Sequence, residues 1–205
     1  MPVDHANRLL FVHIPKTGGT SVLTLLGLWA ADRAPNFQTL FGDFGELDLQ
    51  HMTLRQLRQF LTPAEYREYY KFSFVRNPWD RTVSSAFWHA RFQEEGIRDL
   101  RDYVEFAERV NTQPDPRGHD VHALPQLAFL FNDAGQVGVD RIGRFENYEE
   151  DLRGILAPRI EINAPLPHKL RREDRRNYRD YYTGDLARRV KVLYLDDIVR
   201  FGYRF

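Results

Sequence analysis

The sequence predicts an α/β domain built on a central, mostly parallel sheet flanked by helices. Short apolar runs rich in strand formers recur along the chain, stretches of helical apolar spacing separate them, and glycine or capping residues stand at the junctions. Intervals long enough for a helix are what parallel neighbours require, since each crossover must carry the chain back to the same sheet end. With 205 residues the chain is long enough to bury the core of one such domain, and residues 1–205 are read as a single unit.

The elements follow in order. Leu9 to Ile14 is a short apolar run stopped by Pro15, the pattern of a buried central strand. After the loop Lys16-Thr17-Gly18-Gly19, the spacing Val22, Leu25, Leu26, Trp29 marks one apolar helical stripe, with Thr20 or Ser21 near its start. A second strand is expected around Leu47 to Met52, where Leu47 and Leu49 alternate with polar residues. Thr53 then caps a Leu54, Leu57, Phe60 helix, and Thr62-Pro63-Ala64-Glu65 is a capping box with proline at the first helical position. Phe72, Phe74 and Val75 give a strand ending at Arg76, and Asn77 and Pro78 open a helix running to about Phe92. Two helices between Ile97 and Phe131 are joined by the turn-rich loop Thr112 to His119. Val137 to Phe145 is the last strand, Asn147 with Glu150 caps another helix, and a final amphipathic helix begins near Thr183.

Composition excludes several classes of function. Basic and acidic residues number 29 each, so no strong overall field draws the molecule to nucleic acid or an anionic membrane, and an anion site must be local. Cysteine is absent, which removes disulfides, thiolate nucleophiles and cysteine-based zinc sites and suits a cytoplasmic protein. No secretory signal pattern, no bilayer-length apolar run and no Asn-x-Ser/Thr sequon is seen, so a secreted or membrane-anchored protein is not expected. Lysine occurs only at positions 16, 71, 169 and 191, so Lys16 inside a glycine loop stands out.

In open parallel sheets ligands bind beyond the carboxyl ends of the strands. The first such end carries His13-Ile14-Pro15-Lys16-Thr17-Gly18-Gly19-Thr20-Ser21. Glycines let backbone N–H groups turn inward as an anion nest, Lys16 adds a full charge, and Thr17, Thr20 and Ser21 add hydroxyl donors. The alternative is an ordinary glycine turn. Lysine precedes the glycines, so the Walker pattern of the P-loop kinases is not met. The second end carries Arg76, with Asn77, Arg81 and Ser84 spaced along one helix face; a forked guanidinium plus a hydroxyl suits a terminal phosphate. Its alternative is an asparagine cap with arginines pairing Asp80.

Other signals in the sequence are weaker. His119 and His122 have ligand-like spacing but no evident third ligand, and no metal is expected. Asp43-Phe44-Gly45 mimics a kinase tripeptide without the motifs that accompany it. Arg171, Arg172, Arg175 and Arg176, with Tyr178, Tyr181 and Tyr182, form a basic stretch that either covers a nucleotide or is a solvated face.

Taken together, FVHIPKTGGTSV resembles the 5′-phosphosulfate loop of the sulfotransferases, and SFVRNPWDRTVSSAF resembles their 3′-phosphate segment, with Arg76 and Ser84 eight positions apart. The likeness is to carbohydrate sulfotransferases of the heparan sulfate 2-O-sulfotransferase type and their bacterial relatives. His51, Arg144-Phe145-Glu146-Asn147, Pro167-His168, Asp197-Ile198 and Phe201-Gly202-Tyr203 extend it along the chain. Relatives commonly show Pro-His-x-Asn-x-Ser where this chain has Pro167-His168-Lys169-Leu170-Arg171-Arg172. The resemblance implies a P-loop nucleotide-kinase-like core and transfer of a sulfuryl group from 3′-phosphoadenosine 5′-phosphosulfate (PAPS) to a hydroxyl, of a carbohydrate, releasing 3′,5′-adenosine diphosphate. Lys16, Thr17, Gly18, Gly19, Thr20, Ser21, Arg76 and Ser84 would bind the donor. Lys16 would stabilise the leaving oxygen and His51 would serve as base. An atypical ATP-dependent phosphotransferase and a non-catalytic nucleotide-binding protein on the same fold are the rival readings.

Overall fold

The computed structural model describes residues 2–28, 50–92, 96–114, 116, 118–162 and 176–205. The chain forms two compact units, Met1–Val75 with Ala128–Arg171 and Arg76–Leu127 with Arg172–Phe205.

The first unit holds a four-stranded sheet in the order β1 (Val3–Asp4), β2 (Leu9–Val12), β3 (Tyr70–Val75), β4 (Arg141–Arg144). β2 and β3 are parallel with Phe11 opposite Phe72, and β3 and β4 are parallel with Phe74 opposite Gly143. Among the described residues only β1 runs antiparallel to its neighbour. The sheet is therefore mostly parallel, as expected. All four residues of β2 are buried, the mark of a strand covered on both faces. On one face Leu9, Phe11, Phe72 and Phe74 pack with Val22 and Leu23 of α1 (Gly19–Leu25) and with Leu152, Ile155 and Leu156 of a later helix, Tyr148–Leu156. Burial of each such side chain stabilises the fold by about 1.5–3 kcal/mol before entropy is counted. At the edge of the sheet β4 reads Arg-Ile-Gly-Arg, with Arg141 exposed and Gly143 buried against the Phe74 ring, where a Cβ would come within 2.5 Å of a ring carbon.

Two short helices precede β3. Leu54–Arg58 is α2 and Pro63–Glu68 is α3, and each begins with a reciprocal capping box, Thr53 with Gln56 and Thr62 with Glu65. Two expectations fail here. Gln50–Met52 is not strand but a turn leading into the Thr53 cap, while Leu47 and Leu49 lie outside the described residues. The Asn147 side chain makes no capping bond; a short 3-10 turn, Phe145–Asn147, precedes the helix, and the Asp151 carboxylate accepts the Arg144 N–H at 2.5 Å instead.

The second unit is helical. Its long helix α4 (Pro78–Phe92) is joined by α5 (Leu100–Val110), which packs Tyr103, Phe106, Ala107 and Val110 against Ala86, Ile97 and Ala123. Trp79 and Val104 pack against Leu186 and Val190 of one further helix, Gly184–Leu193, against Ile198 of another, Leu195–Phe201, and against Tyr194, the cap between them. Thr183 caps the first of these by accepting the Leu186 N–H. Among the described residues no helix is long and apolar enough to cross a membrane.

Candidate active site

The residues singled out by sequence fall into two groups, one in each unit. In the first unit β2 ends at Val12 and the chain turns at Pro15 and Lys16. Proline supplies the negative φ of the first turn position, and Lys16 takes the next with φ of 67°. That left-handed conformation is ordinarily given to Gly or Asn and costs another residue about 1–2 kcal/mol. The Thr17 hydroxyl, fully buried, donates to the Ile14 carbonyl at 2.8 Å and closes the turn. Its proton thus braces the loop. Lys16 itself is half-buried.

The two glycines are needed for different reasons. Gly18 has φ of 89°, and a Cβ on it would approach the Tyr148 and Phe145 rings to 3.1 and 3.2 Å. Gly19 has no unusual φ, yet a Cβ there would fall 1.9 Å from the His13 imidazole. The loop therefore lies directly on that ring. Ser21 is buried beside the Tyr148 phenol, and its N–H donates to the Gly18 carbonyl at 3.1 Å to start α1; Thr20 is half-exposed. Burial pushes the Tyr148 phenol well above its ordinary range, with the Ser21 hydroxyl pulling it back.

His51 joins this group from the turn before α2. Its Nδ1 lies 2.9 Å from the His13 carbonyl oxygen, and the two imidazole rings are 4.3 Å apart. A carbonyl only accepts, so the contact places a proton on Nδ1 of His51, and in the neutral form of the ring the lone pair then stands on Nε2. His13 is buried, stacked on Phe11 at 5.3 Å, and its Nδ1 is 3.3 Å from the Gln50 amide nitrogen. Desolvation first, then the neighbouring His51 and Lys16, hold its pKa well below the usual histidine value. His13 is accordingly neutral near physiological pH.

In the second unit Arg76 is buried, and its Nε donates to the Asp80 carboxylate at 2.7 Å. Its backbone is clamped by Gln126, as the Arg76 N–H donates to Oε1 at 2.8 Å and the Gln126 amide donates to the Arg76 carbonyl at 2.9 Å. Gln126 is fixed in turn, for its own N–H and that of Leu127 donate to the Asp197 carboxylate at 2.7 and 2.9 Å. Asp197 is fully buried; desolvation raises its pKa, opposed by those two N–H groups and by Arg81. Ser84, half-exposed, stands on α4 one turn beyond Asp80.

Two neighbours prove structural. Asn77 accepts the Trp79 N–H and donates to the Arg204 carbonyl at 2.9 Å, capping α4 and tying down the C-terminus. Arg81 is buried, with its guanidinium on the Leu124 and His122 carbonyls at 2.8 and 3.1 Å. The tyrosines after the basic stretch also pack inward: the Tyr182 hydroxyl donates to the Trp79 carbonyl at 2.8 Å, and Tyr178 meets the Asn77 amide. Residues 169–175 of that stretch, Pro167, His168 and the Asp43-Phe44-Gly45 tripeptide lie outside the described residues. His119 and His122 sit 6.0 Å apart, ring to ring, beside Trp88, and among the described residues no group of acidic or histidine side chains is arranged to hold a metal.

Sequence reasoning missed Gln126, and it took Asp197 only as an echo. No local pattern announces either, because their partners are 50 and 71 positions away.

Comparison with known proteins adds one finding. The model of the sulfotransferase family matches residues 1–204. No curated protein and no solved structure matches the chain.

Proposed function

Because the chain belongs to the sulfotransferase family, we propose that its donor is PAPS and that its acceptor is a hydroxyl of a carbohydrate. The observation that carries this reading is the histidine pair under the Lys16 loop. With its Nδ1 proton on the His13 carbonyl, a neutral His51 carries its lone pair on Nε2, the tautomer this role calls for. The acceptor oxygen forms a bond to sulfur, the bond from sulfur to the bridging oxygen of the 5′-phosphate breaks, and His51 Nε2 takes the hydroxyl proton. The products are a sulfate ester and 3′,5′-adenosine diphosphate. Lys16 and the N–H groups around Gly18 and Gly19 stabilise the negative charge that grows on the bridging oxygen. Arg76 and Ser84 take the 3′-phosphate, and Asp80 with Gln126 keeps the Arg76 side chain and backbone in place. The chemistry as written calls for no metal, since Lys16 supplies the charge. The cysteine-free composition suits a reducing compartment, and we assign the reaction to the cytoplasm.

The test is calorimetric titration with 3′,5′-adenosine diphosphate, ADP, and ATP with Mg²⁺, followed by transfer of labelled sulfate from PAPS to a panel of saccharides. Preference for 3′,5′-adenosine diphosphate and labelled saccharide support the reading. Tighter binding of ATP overturns it in favour of a phosphotransferase. Binding of 3′,5′-adenosine diphosphate with no transfer to saccharides but transfer to other alcohols overturns the acceptor class alone.

A further inference from the structure

The His13 imidazole occupies an unusual place for a ring at the end of a buried strand. One edge lies where a Cβ of Gly19 would stand, at 1.9 Å, and a neighbouring face meets the His51 ring at 4.3 Å between centroids. Behind it the ring stacks on Phe11, and its Nδ1 faces the Gln50 amide. Its backbone carbonyl is the acceptor of the His51 Nδ1 proton. One residue thus touches His51 through both its main chain and its side chain and touches the donor-binding loop at the same time. An imidazole can pivot about a single main-chain bond, and a ring packed against it at this distance restricts that pivot.

We propose that His13 is a positioning residue for the reaction: wedged between Gly19 and His51, its ring fixes the orientation of the His51 imidazole relative to the Lys16 loop. The proposal rests on His51 being the base. It also gives a reason for glycine at position 19, where the backbone itself makes no demand. Among the described residues the charged and titratable groups that face His13 are His51 and Lys16, and Gln50 and Phe11 are neutral. Protonation of His13 would set a buried cation beside the Lys16 charge and next to the His51 ring, and burial first, then these neighbours, keep it neutral. The wedge is therefore an uncharged one under working conditions.

The experiment uses His13→Asn, which keeps an amide near the position of Nδ1 to face Gln50 but removes the part of the ring that meets Gly19 and His51. Its kcat is expected to fall on the order of 10-fold to 10²-fold, the scale set by small misplacements of catalytic groups, with the Kd for 3′,5′-adenosine diphosphate within about twofold of wild type. Gly19→Ala pushes the same ring from the other side and is expected to lower Tm by several degrees, roughly the scale of a 1 kcal/mol loss. In the His13→Asn background the added methyl has room, so Gly19→Ala is expected to cost little further Tm. Additive Tm losses, or His13→Asn with wild-type kcat while His51→Ala is inactive, overturn the proposal alone. Wild-type kcat in His51→Ala overturns the base reading and the proposal with it. The Tm cycle also keeps the wedge testable if His13→Asn is too unstable for kinetics.

Discussion

Arg76 and Gln126 grip each other through a reciprocal pair of hydrogen bonds, backbone N–H to side-chain oxygen at 2.8 Å and side-chain amide to backbone carbonyl at 2.9 Å. The glutamine replaces the strand neighbour that β3 no longer has once it has passed Val75. Both residues are buried, so neither backbone group has an easy substitute in water. Gln126→Ala is expected to lower stability by about 2–4 kcal/mol, from two orphaned backbone groups and a small cavity. A urea unfolding curve measures it. A shift under about 0.5 kcal/mol, the range of ordinary surface changes, would show that the clamp is dispensable.

Arg76→Ala tests the 3′-phosphate assignment. The affinity for 3′,5′-adenosine diphosphate should drop by about 2–4 kcal/mol, while 5′-AMP, lacking that phosphate, should bind nearly as before. Calorimetry with the two ligands side by side reads the difference. Equal losses would mean that Arg76 supports the fold rather than the phosphate.

Lys16 combines a strained backbone with a proposed catalytic charge, and the two can be separated. Lys16→Gly relieves the left-handed φ of 67°, so stability should hold or rise by up to about 1 kcal/mol. Its kcat should nonetheless fall on the order of 10²-fold, as when one oxyanion donor is lost. Lys16→Ala should lose as much activity while remaining less stable than the glycine variant. A Lys16→Gly protein with normal kcat would remove lysine from the chemistry.

His13 makes stability depend on pH with a definite sign. Its folded pKa lies well below the ordinary value of 6.5, so between those two values the unfolded chain binds a proton that the folded protein refuses. Stability from this group is complete above pH 6.5 and declines as pH falls through the window beneath it. Chemical denaturation at pH 7.5 and pH 5.5 should show that decline in the wild type and a smaller one in His13→Asn. Identical slopes in both proteins would place the acid sensitivity elsewhere.

Much of this was legible in the sequence because it is encoded locally. The caps at Thr53, Thr62 and Thr183 need only residues three positions away, and the strand at Phe72–Val75 and the helix from Pro78 announce themselves by composition and by proline. The loop at Lys16 was legible for the same reason. Asn147 satisfied the same local rule and failed it, because a 3-10 turn over Phe145–Asn147 leaves the asparagine at φ of −116° and ψ of 34°, off the extended geometry a cap needs. The two-residue β1 carries too short a pattern to read. In the sequence His51 reads as a strand end, yet the structure holds it through the His13 carbonyl across 38 positions. Helical spacing groups Arg81 with Ser84, but spacing does not tell a guanidinium facing a ligand from one facing main-chain carbonyls.

The arginines of β4 bear on behaviour at high concentration. Among the described residues β4 is the last strand of the sheet, where a foreign strand could seek main-chain partners, although the Arg144 N–H is already taken by the Asp151 carboxylate. The strand is only four residues long, and it places a positive charge at each end, one of them exposed. A second copy approaching edge to edge would meet the exposed Arg141 charge. The same Arg-Ile-Gly-Arg segment that completes the sheet thus discourages its extension, and exchanging Arg141 for valine would trade a guarded border for a sticky one.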